Sequence, residues 1–219
     1  MPGRRRTAIL ISGRGSNMAA LIAAAADPTY PAEIALVLSS RSNAAGLETA
    51  RTAGVATAAV DYAAGQAVAE AAIGARLAEH GVELLCLAGF MRWLSAEFVE
   101  RWRDRLINIH PSLLPAFPGL DTHHRALDAD VKLHGCTVHF VRAAMDSGQI
   151  IAQAAVPVLP GDTPDALAAR VLEAEHVLYP KALALVAAGR VRVVDELSVF
   201  SDGSGQGDGL GMLVPPPGI

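Results

Sequence analysis

The chain has 219 residues, of which 52% are hydrophobic and 18% are charged, and its formal net charge is −4. A chain of this length and composition can bury a full core, which excludes an intrinsically disordered protein. The negative net charge argues against a surface for duplex nucleic acid, because neutralising phosphates needs a concentrated positive face.

Apolar stretches and cysteines indicate the cellular setting. No uninterrupted apolar run approaches the length of a membrane span, and Gly13, Arg14 and Gly15 cut the first one too short for a signal peptide. We therefore expect a soluble, cytoplasmic protein with no membrane partner. Cys86 and Cys136 have no metal-ligand spacing and lie in apolar surroundings, so we expect buried free thiols rather than a disulfide.

Short apolar strands alternate with helices through the first half of the chain. Strands are predicted at 7–12, 33–39, 57–60, 84–88 and 106–110, and helices at 17–26, near 46–53, up to about 80, and at 95–103. The stretch 84–88 is apolar throughout, which is typical of a strand buried in a parallel sheet. Alternation with short links predicts an α/β fold: a doubly wound, mostly parallel sheet with helices on both faces.

The pattern changes after Pro115. Longer strands are predicted at 135–141 and 150–156, followed by a helix from Thr163 that Pro180 is expected to bend or restart. With no internal repeat and no second domain in the pattern, we predict a single domain over 1–200. We predict a flexible tail over 201–219, which is rich in glycine and proline.

Three segments follow predicted strands, at the edge of the sheet where α/β proteins gather their ligands. The first, Ser12-Gly13-Arg14-Gly15-Ser16-Asn17, opens a helix. Its glycines leave backbone N–H groups free to point at an anion, which the helix dipole also favours. It lacks the patterns of a triphosphate loop and of a dinucleotide site. Two interpretations stay open, a tight turn only or a site for a single phosphate.

The second segment, 89–94, places large apolar side chains directly after the most apolar strand. One interpretation is ordinary packing. The other is one wall of a pocket for a flat aromatic ligand, with backbone groups available to pair with a heterocycle.

The third segment reads Asn108-Ile109-His110-Pro111-Ser112-Leu113-Leu114-Pro115. Asn108 and His110 point to the same side of an extended chain, and Pro111 ends the strand so that both lie at its exposed end. They form either a polar cap or a pair of donors for a ligand. Asp146 lies in a predicted turn, where aspartates are usually structural, but a carboxylate near an imidazole favours its charged form and orients it.

Neighbouring histidines at 123 and 124 are a weak sign of a metal site, because adjacent helical residues face different ways. We expect no metal there.

These segments, in this order, resemble the phosphoribosylglycinamide formyltransferases, folate-dependent enzymes of purine synthesis. The stretch 11–17 is similar to the family's phosphate loop, 87–92 to its folate-side segment, and 108–115 to the stretch that carries two catalytic positions. Asp146 fits the third catalytic position. Glu175-His176, before Tyr179-Pro180, resembles the stretch that contacts the glycinamide substrate. The resemblance runs from about Thr7 to Val194.

The resemblance implies the formyltransferase fold and transfer of a formyl group from 10-formyltetrahydrofolate to the amine of phosphoribosylglycinamide, without a metal. It implies a catalytic set made of Asn108, His110 and Asp146. It also implies a substrate-binding set of Gly15, Ser16, Asn17 and Glu175, and a folate-binding set of Met91, Arg92, Trp93, Leu94 and Asn108. The partners would be small molecules and not nucleic acid, and the protein a monomer or a homodimer.

The resemblance also implies a mechanism. The amine attacks the formyl carbon, while Asn108 and protonated His110 donate hydrogen bonds to the developing negative charge on the formyl oxygen. Asp146 favours the charged imidazole and helps to move a proton from the amine to the leaving nitrogen.

Two departures from the family and two rivals stay in view. Gln66 stands where an Arg often contributes to the folate site, and Asp121 where a His is often found. Methionyl-tRNA formyltransferases carry an extra carboxy-terminal domain and formyltetrahydrofolate deformylases an amino-terminal one, so chain length favours the glycinamide enzyme. The remaining rivals are a formyltransferase for another amine, such as a nucleotide-linked amino sugar, and a non-catalytic phosphosugar-binding domain.

Overall fold

The computed structural model describes residues 3–201 and 210–213. The strands of this part are β1 (Arg5–Ile11), β2 (Ala32–Ser39), β3 (Ala56–Ala59), β4 (Leu84–Leu87), β5 (Leu106–His110), β6 (Leu133–Phe140), β7 (Ile150–Pro157), β8 (Val191–Val194), β9 (Leu197–Phe200) and β10 (Leu210–Leu213). Its helices are α1 (Ser16–Ala25), α2 (Ala45–Thr52), α3 (Gln66–Glu79), α4 (Ala96–Arg101), α5 (Thr122–Asp128) and α6 (Pro164–Ala187).

The main sheet has the strand order β10-β7-β6-β5-β4-β1-β2-β3. Strands β1 to β5 are parallel to one another, β6 runs antiparallel between β5 and β7, and β10 pairs in parallel with β7. A separate hairpin joins β8 and β9. The predicted doubly wound, mostly parallel sheet is confirmed. The order reverses beside β1, so the links after β1 and β4 diverge there and leave a crevice at the carboxyl ends of the strands.

Side chains of β1 alternate between the two faces of the sheet, as the two-residue period of a strand requires. Ile9 and Ile11 belong to a core that includes residues of α1, α2 and α6. Ala8 and Leu10 belong to a second core, shared with α3 and α4. The helices therefore cover both faces, and this buried frame holds the strand ends in place.

Helix α6 continues through Pro180 as one helix of 24 residues, so the helix does not restart at this proline. A proline inside a helix removes one hydrogen bond. Here Tyr179 and Ala182, on either side of it, are fully buried. Burial of these neighbours holds the chain helical where local preference alone would end it.

Part of the predicted tail lies beside the sheet. The backbone of Leu210–Leu213 pairs with residues 152–155 of β7. Residues 202–209 and 214–219 lie outside the described part of the chain. The division into one domain and a tail stays a prediction. The helix α5 and the hairpin of β8 and β9 are further elements that the sequence pattern did not predict.

Gly135 in β6 provides a test of how closely the backbones of the paired strands β6 and β7 approach each other. A Cβ atom at this position would lie 1.9 Å from the Ala154 carbonyl oxygen of β7. We expect Gly135→Ala to lower the free energy of unfolding by about 3 kcal/mol or more, because the backbone of β7 has to move. Urea denaturation followed by circular dichroism measures this change.

Gly74→Ala is the matched control. Gly74 lies inside α3, and a Cβ atom there would meet nothing within 4 Å. This substitution should raise stability by about 0.5–1 kcal/mol, since alanine costs less conformational entropy in a helix. Equal changes in the free energy of unfolding for the two substitutions would contradict the close approach of the β6 and β7 backbones at Gly135.

Candidate active site

Asn108, His110 and Asp146 lie close together at one end of the sheet. Asn108 and His110 lie within the last three residues of β5, and Asp146 lies in the loop between β6 and β7. The His110 Nδ1 atom is 3.4 Å from Asp146 Oδ2. Asn108 connects to the same carboxylate through His139, whose Nε2 is 3.3 Å from Asn108 Nδ2 and 4.0 Å from Asp146 Oδ1. The structure therefore brings the three predicted catalytic residues together.

Asn108 and His110 lie on one face of β5, and the residues of its other face are buried in the core. Ile107 and Ile109 are buried in the core that includes α6. Alternation then directs Asn108 and His110 to the opposite face. The strand ends at His110, directly before Pro111, as predicted. The two polar side chains thus stand at the carboxyl end of a strand that is fixed by β4 and β6.

Each ring nitrogen of His110 faces an acceptor. Nε2 lies 3.1 Å from the carbonyl oxygen of Phe117, and Nδ1 faces Asp146 Oδ2. A carbonyl and a carboxylate accept but do not donate, so only the doubly protonated ring can satisfy both. The geometry therefore suits a positively charged His110.

His139 is a site residue that the sequence analysis missed. Its Nδ1 is 2.9 Å from the Phe140 carbonyl, which can only accept, so the ring proton belongs on Nδ1. Burial lowers the pKa of His139, which favours the neutral ring. Its bare Nε2 then accepts one N–H of the Asn108 amide and leaves the second for a ligand. A signal was available in the sequence, because five histidines fall between 110 and 139.

The loop 117–121 is held against this group. The Gly119 N–H donates to Asp146 Oδ2 at 2.8 Å. Phe117 packs edge-on against His134, with ring centroids 5.8 Å apart. Burial, with a smaller contribution from His123, lowers the pKa of His134 to about 4, so this ring is neutral. Asp146 therefore contacts both the loop and His110.

The segment 12–17 leads into α1 through a left-handed residue, Gly15. Gly15 has φ +75°, and a Cβ atom there would lie 3.1 Å from Met18 Cε and 3.3 Å from Gly46 Cα. The segment borders a cavity of about 350 Å³, whose lining residues include 12–17, Arg41 and Met91. Backbone N–H groups at the start of α1 are free of partners within the helix, which suits an anion.

Asn17 and Glu175 form a buried pair across 158 residues of sequence, with Asn17 Nδ2 donating to Glu175 Oε2 at 2.6 Å. Burial raises the pKa of Glu175 to about 6, and the hydrogen bond from Asn17 opposes that shift. Asn17 Oδ1 is buried and has no hydrogen-bond partner in the described part of the chain. The predicted substrate-binding residues thus meet in one place: Gly15, Ser16 and Asn17 line the cavity, and Glu175 is bound to Asn17.

The predicted folate segment follows β4. Met91, Arg92 and Trp93 are exposed, and Leu94 is partly buried. Met91 and Trp93 are 67% and 65% exposed, which argues against ordinary packing for these two residues. The guanidinium of Arg92 lies 4.9 Å above the Tyr62 ring. Leu94 is half-buried against the core shared with α3 and α4.

Gln66, one of the two departures from the family, supports this segment from α3. Its Nε2 donates to Glu70 Oε1 at 2.9 Å and to the Trp93 carbonyl at 3.3 Å. Glu70 also accepts the Ser95 N–H at 2.6 Å, directly after the segment. Asp121, the other departure, precedes α5 and makes no side-chain cap. The Gln66 amide therefore holds the backbone of the predicted folate segment. It cannot replace the guanidinium that an arginine at this position would offer a ligand.

Residues 3–201 and 210–213 contain no group of three or more His, Cys, Asp or Glu side chains arranged to hold a metal ion. Cys86 and Cys136 are buried free thiols, as predicted. None of the helices in this part of the chain has the length and apolar character needed to cross a membrane.

Comparison with known proteins gives consistent matches. The formyl transferase family model matches residues 5–183. Phosphoribosylglycinamide formyltransferase of Escherichia coli K12 is 41% identical over 197 residues, which cover 89% of this chain and 92% of that protein. The crystal structure of glycinamide ribonucleotide transformylase 1 from Symbiobacterium toebii is 45% identical, with a TM-score of 0.89, and covers 92% of this chain and 96% of that one.

Animal relatives are longer. The trifunctional purine biosynthetic protein adenosine-3 of Bos taurus is 47% identical over 194 residues, which are 88% of this chain but 19% of that protein. The chain spans less than a fifth of the length of such relatives.

The buried Glu175 predicts a pH dependence of stability. Its pKa is raised from 4.5 to about 6, so the folded state binds the proton more tightly than the unfolded state. The resulting stabilisation is complete below about pH 4.5 and is lost as the pH rises through about 6. Relative to Glu175→Gln, the wild-type free energy of unfolding should therefore fall by roughly 2 kcal/mol between about pH 4.5 and 7.

Denaturant titrations of both proteins at several pH values measure this difference, and comparison with the variant cancels the contributions of all other groups. A difference that is constant with pH, or that grows in favour of the wild type, would contradict the raised pKa.

Proposed function

The chain belongs to the phosphoribosylglycinamide formyltransferase family, and on this premise we propose that it transfers the formyl group of 10-formyltetrahydrofolate to the amine of phosphoribosylglycinamide. The observation that carries the proposal is the convergence of Asn108, His110 and Asp146 at the end of β5. The cavity at the start of α1 lies at the ends of β1 and β4, and β4 is the neighbour of β5 in the sheet. Both substrates are small molecules and neither needs a metal.

The ribonucleotide binds at the cavity in this proposal. Its phosphate lies at the N-terminus of α1, against the N–H groups of Gly15, Ser16 and Asn17. Glu175 accepts hydrogen bonds from the sugar or the glycinamide end. The folate lies along 91–94 and reaches Asn108, an arrangement supported by the exposure of Met91 and Trp93.

The chemical step forms a bond between the substrate amine and the formyl carbon, while negative charge develops on the formyl oxygen. The free N–H of Asn108 donates to that oxygen. His110 donates from Nε2, which has to leave the Phe117 carbonyl that it faces at 3.1 Å. Formyl binding and a shift of the loop 117–121 are therefore coupled in this mechanism.

Proton transfer completes the reaction. The attacking amine loses one proton, the folate nitrogen gains one as its bond to the formyl carbon breaks, and the sum of protons is unchanged. Asp146 holds His110 charged during attack and helps to carry the proton, through water, between the two nitrogens.

Formyl transfer to another amine is the second candidate, because the Asn-x-His segment and Asp146 determine the chemistry rather than the acceptor. The pair formed by Asn17 and Glu175 beside the cavity favours the ribonucleotide. A non-catalytic phosphosugar-binding domain would have no use for the catalytic group.

An absorbance assay tests the proposal. Purified protein is mixed with a 10-formylfolate and either phosphoribosylglycinamide or a nucleotide-linked amino sugar, and loss of the formyl group is followed over time. We expect turnover with phosphoribosylglycinamide. Turnover only with the amino sugar would support the second candidate, and binding without turnover would support a binding domain.

Asn108→Ala and His110→Ala should each lower kcat by about 100–1000-fold, because each removes a donor to the charge that forms in the transition state. Dissociation constants for both substrates should stay within roughly tenfold of wild type. Stopped-flow kinetics and equilibrium binding separate the two quantities. If binding weakened while kcat stayed unchanged, these residues would serve recognition and not catalysis.

A further inference from the structure

Two arginines on the rim of the α1 cavity have no assigned role. Arg14 and Arg41 both line the cavity and are exposed. Neither guanidinium has a hydrogen-bond or ion-pair partner among residues 3–201. Eight other arginines of this part of the chain do form ion pairs with carboxylates. Two uncompensated cations at one cavity are notable in a chain whose net charge is −4.

The two arginines belong to loops that are hydrogen-bonded to each other. Arg14 follows β1 and Arg41 follows β2, its parallel neighbour. The Gly46 N–H donates to the Gly13 carbonyl at 3.1 Å, and the hydroxyls of Ser12 and Ser40 are 2.6 Å apart. The backbone positions of both arginines relative to the start of α1 are therefore fixed, while their side chains are free to reach a ligand.

An independent feature indicates that this cavity takes a polar ligand. Asn17 lines the cavity, is 9% exposed, and has a buried Oδ1 atom without a partner in the described part of the chain. A buried acceptor without a donor is costly, and a ligand hydroxyl or N–H would satisfy it. A phosphosugar offers hydroxyl donors and an anion on the same molecule.

We propose that Arg14 and Arg41 form an arginine pair that binds the phosphate of the ribonucleotide at the N-terminus of α1 and sets the preference for a phosphorylated substrate. The inference rests on the proposed function. The helix N–H groups supply partial positive charge to the phosphate, and the guanidinium groups add full charges and hydrogen-bond donors. An acidic protein attracts an anionic substrate poorly overall, so local cations also raise its association rate.

The test compares the ribonucleotide with its dephosphorylated riboside as formyl acceptors. The variants are Arg14→Ala, Arg41→Ala, the double variant and Arg41→Lys. Arg51→Ala is the matched control, because it removes the same charge from α2 at a residue whose guanidinium is paired with Glu48. Riboside turnover shows that each variant is folded and competent in chemistry.

Each alanine variant should raise the KM for the ribonucleotide about tenfold, the effect expected for loss of one hydrogen bond to a charged group. The double variant should raise it further, and Arg41→Lys should fall between wild type and Arg41→Ala, because lysine keeps the charge but not the fork of donors. The KM for the folate and kcat/KM for the riboside should change less than about threefold in all variants. Arg51→Ala should resemble wild type.

An unchanged KM for the ribonucleotide in the double variant would overturn the arginine pair and leave the proposed function standing. An equal loss of kcat/KM with the riboside would also overturn it, because the arginines would then act on something other than the phosphate. Wild-type protein that formylates neither acceptor would overturn the proposed function and this inference together.

Discussion

The carboxylate of Asp146 is the contact on which the candidate site depends. Its Oδ2 accepts the Gly119 N–H at 2.8 Å and lies 3.4 Å from His110 Nδ1, while Oδ1 is 4.0 Å from His139. One side chain thus joins the end of β5, a histidine of β6 and the loop 117–121. The contact also fixes the orientation of the His110 ring, in which Nδ1 faces the carboxylate and Nε2 faces the Phe117 carbonyl.

The order of strands determines how this group meets the rest of the site. Parallel strands end at the same edge of the sheet, so the loops after β1, β2, β4 and β5 form one continuous border. In the proposed function the phosphate lies at the ends of β1 and β2, the folate along the exposed segment after β4, and the donors at the end of β5. On that proposal β4 stands between the outer parts of the two substrates, and their reacting ends meet at β5.

Much of this arrangement follows from local sequence. Short-range patterns predict the apolar strands, the glycines at 13 and 15, and the stretch from Asn108 to Pro115. They also predict that the glycines and this stretch lie at the carboxyl ends of their strands. His139 is one of five histidines between 110 and 139, and only its pairing opposite Asn108 in β6 distinguishes it from the other four. The contact between Asn17 and Glu175, 158 residues apart, arises only from the packing of α1 on α6. The continuity of α6 through Pro180 likewise depends on burial that the local sequence does not record.

The kcat of Asp146→Asn, measured beside its dissociation constants for both substrates, tests the central claim most directly. If the Asp146 carboxylate holds His110 and the loop 117–121 in place for formyl transfer, the variant keeps its fold and binds both substrates within roughly tenfold of wild type, while its kcat falls by about 100-fold or more. The loss follows because an amide is a weaker, uncharged acceptor for the His110 Nδ1 atom and the Gly119 N–H, which the carboxylate contacts at 3.4 Å and 2.8 Å. An unchanged kcat in Asp146→Asn would contradict the account, since the site would then work without the carboxylate.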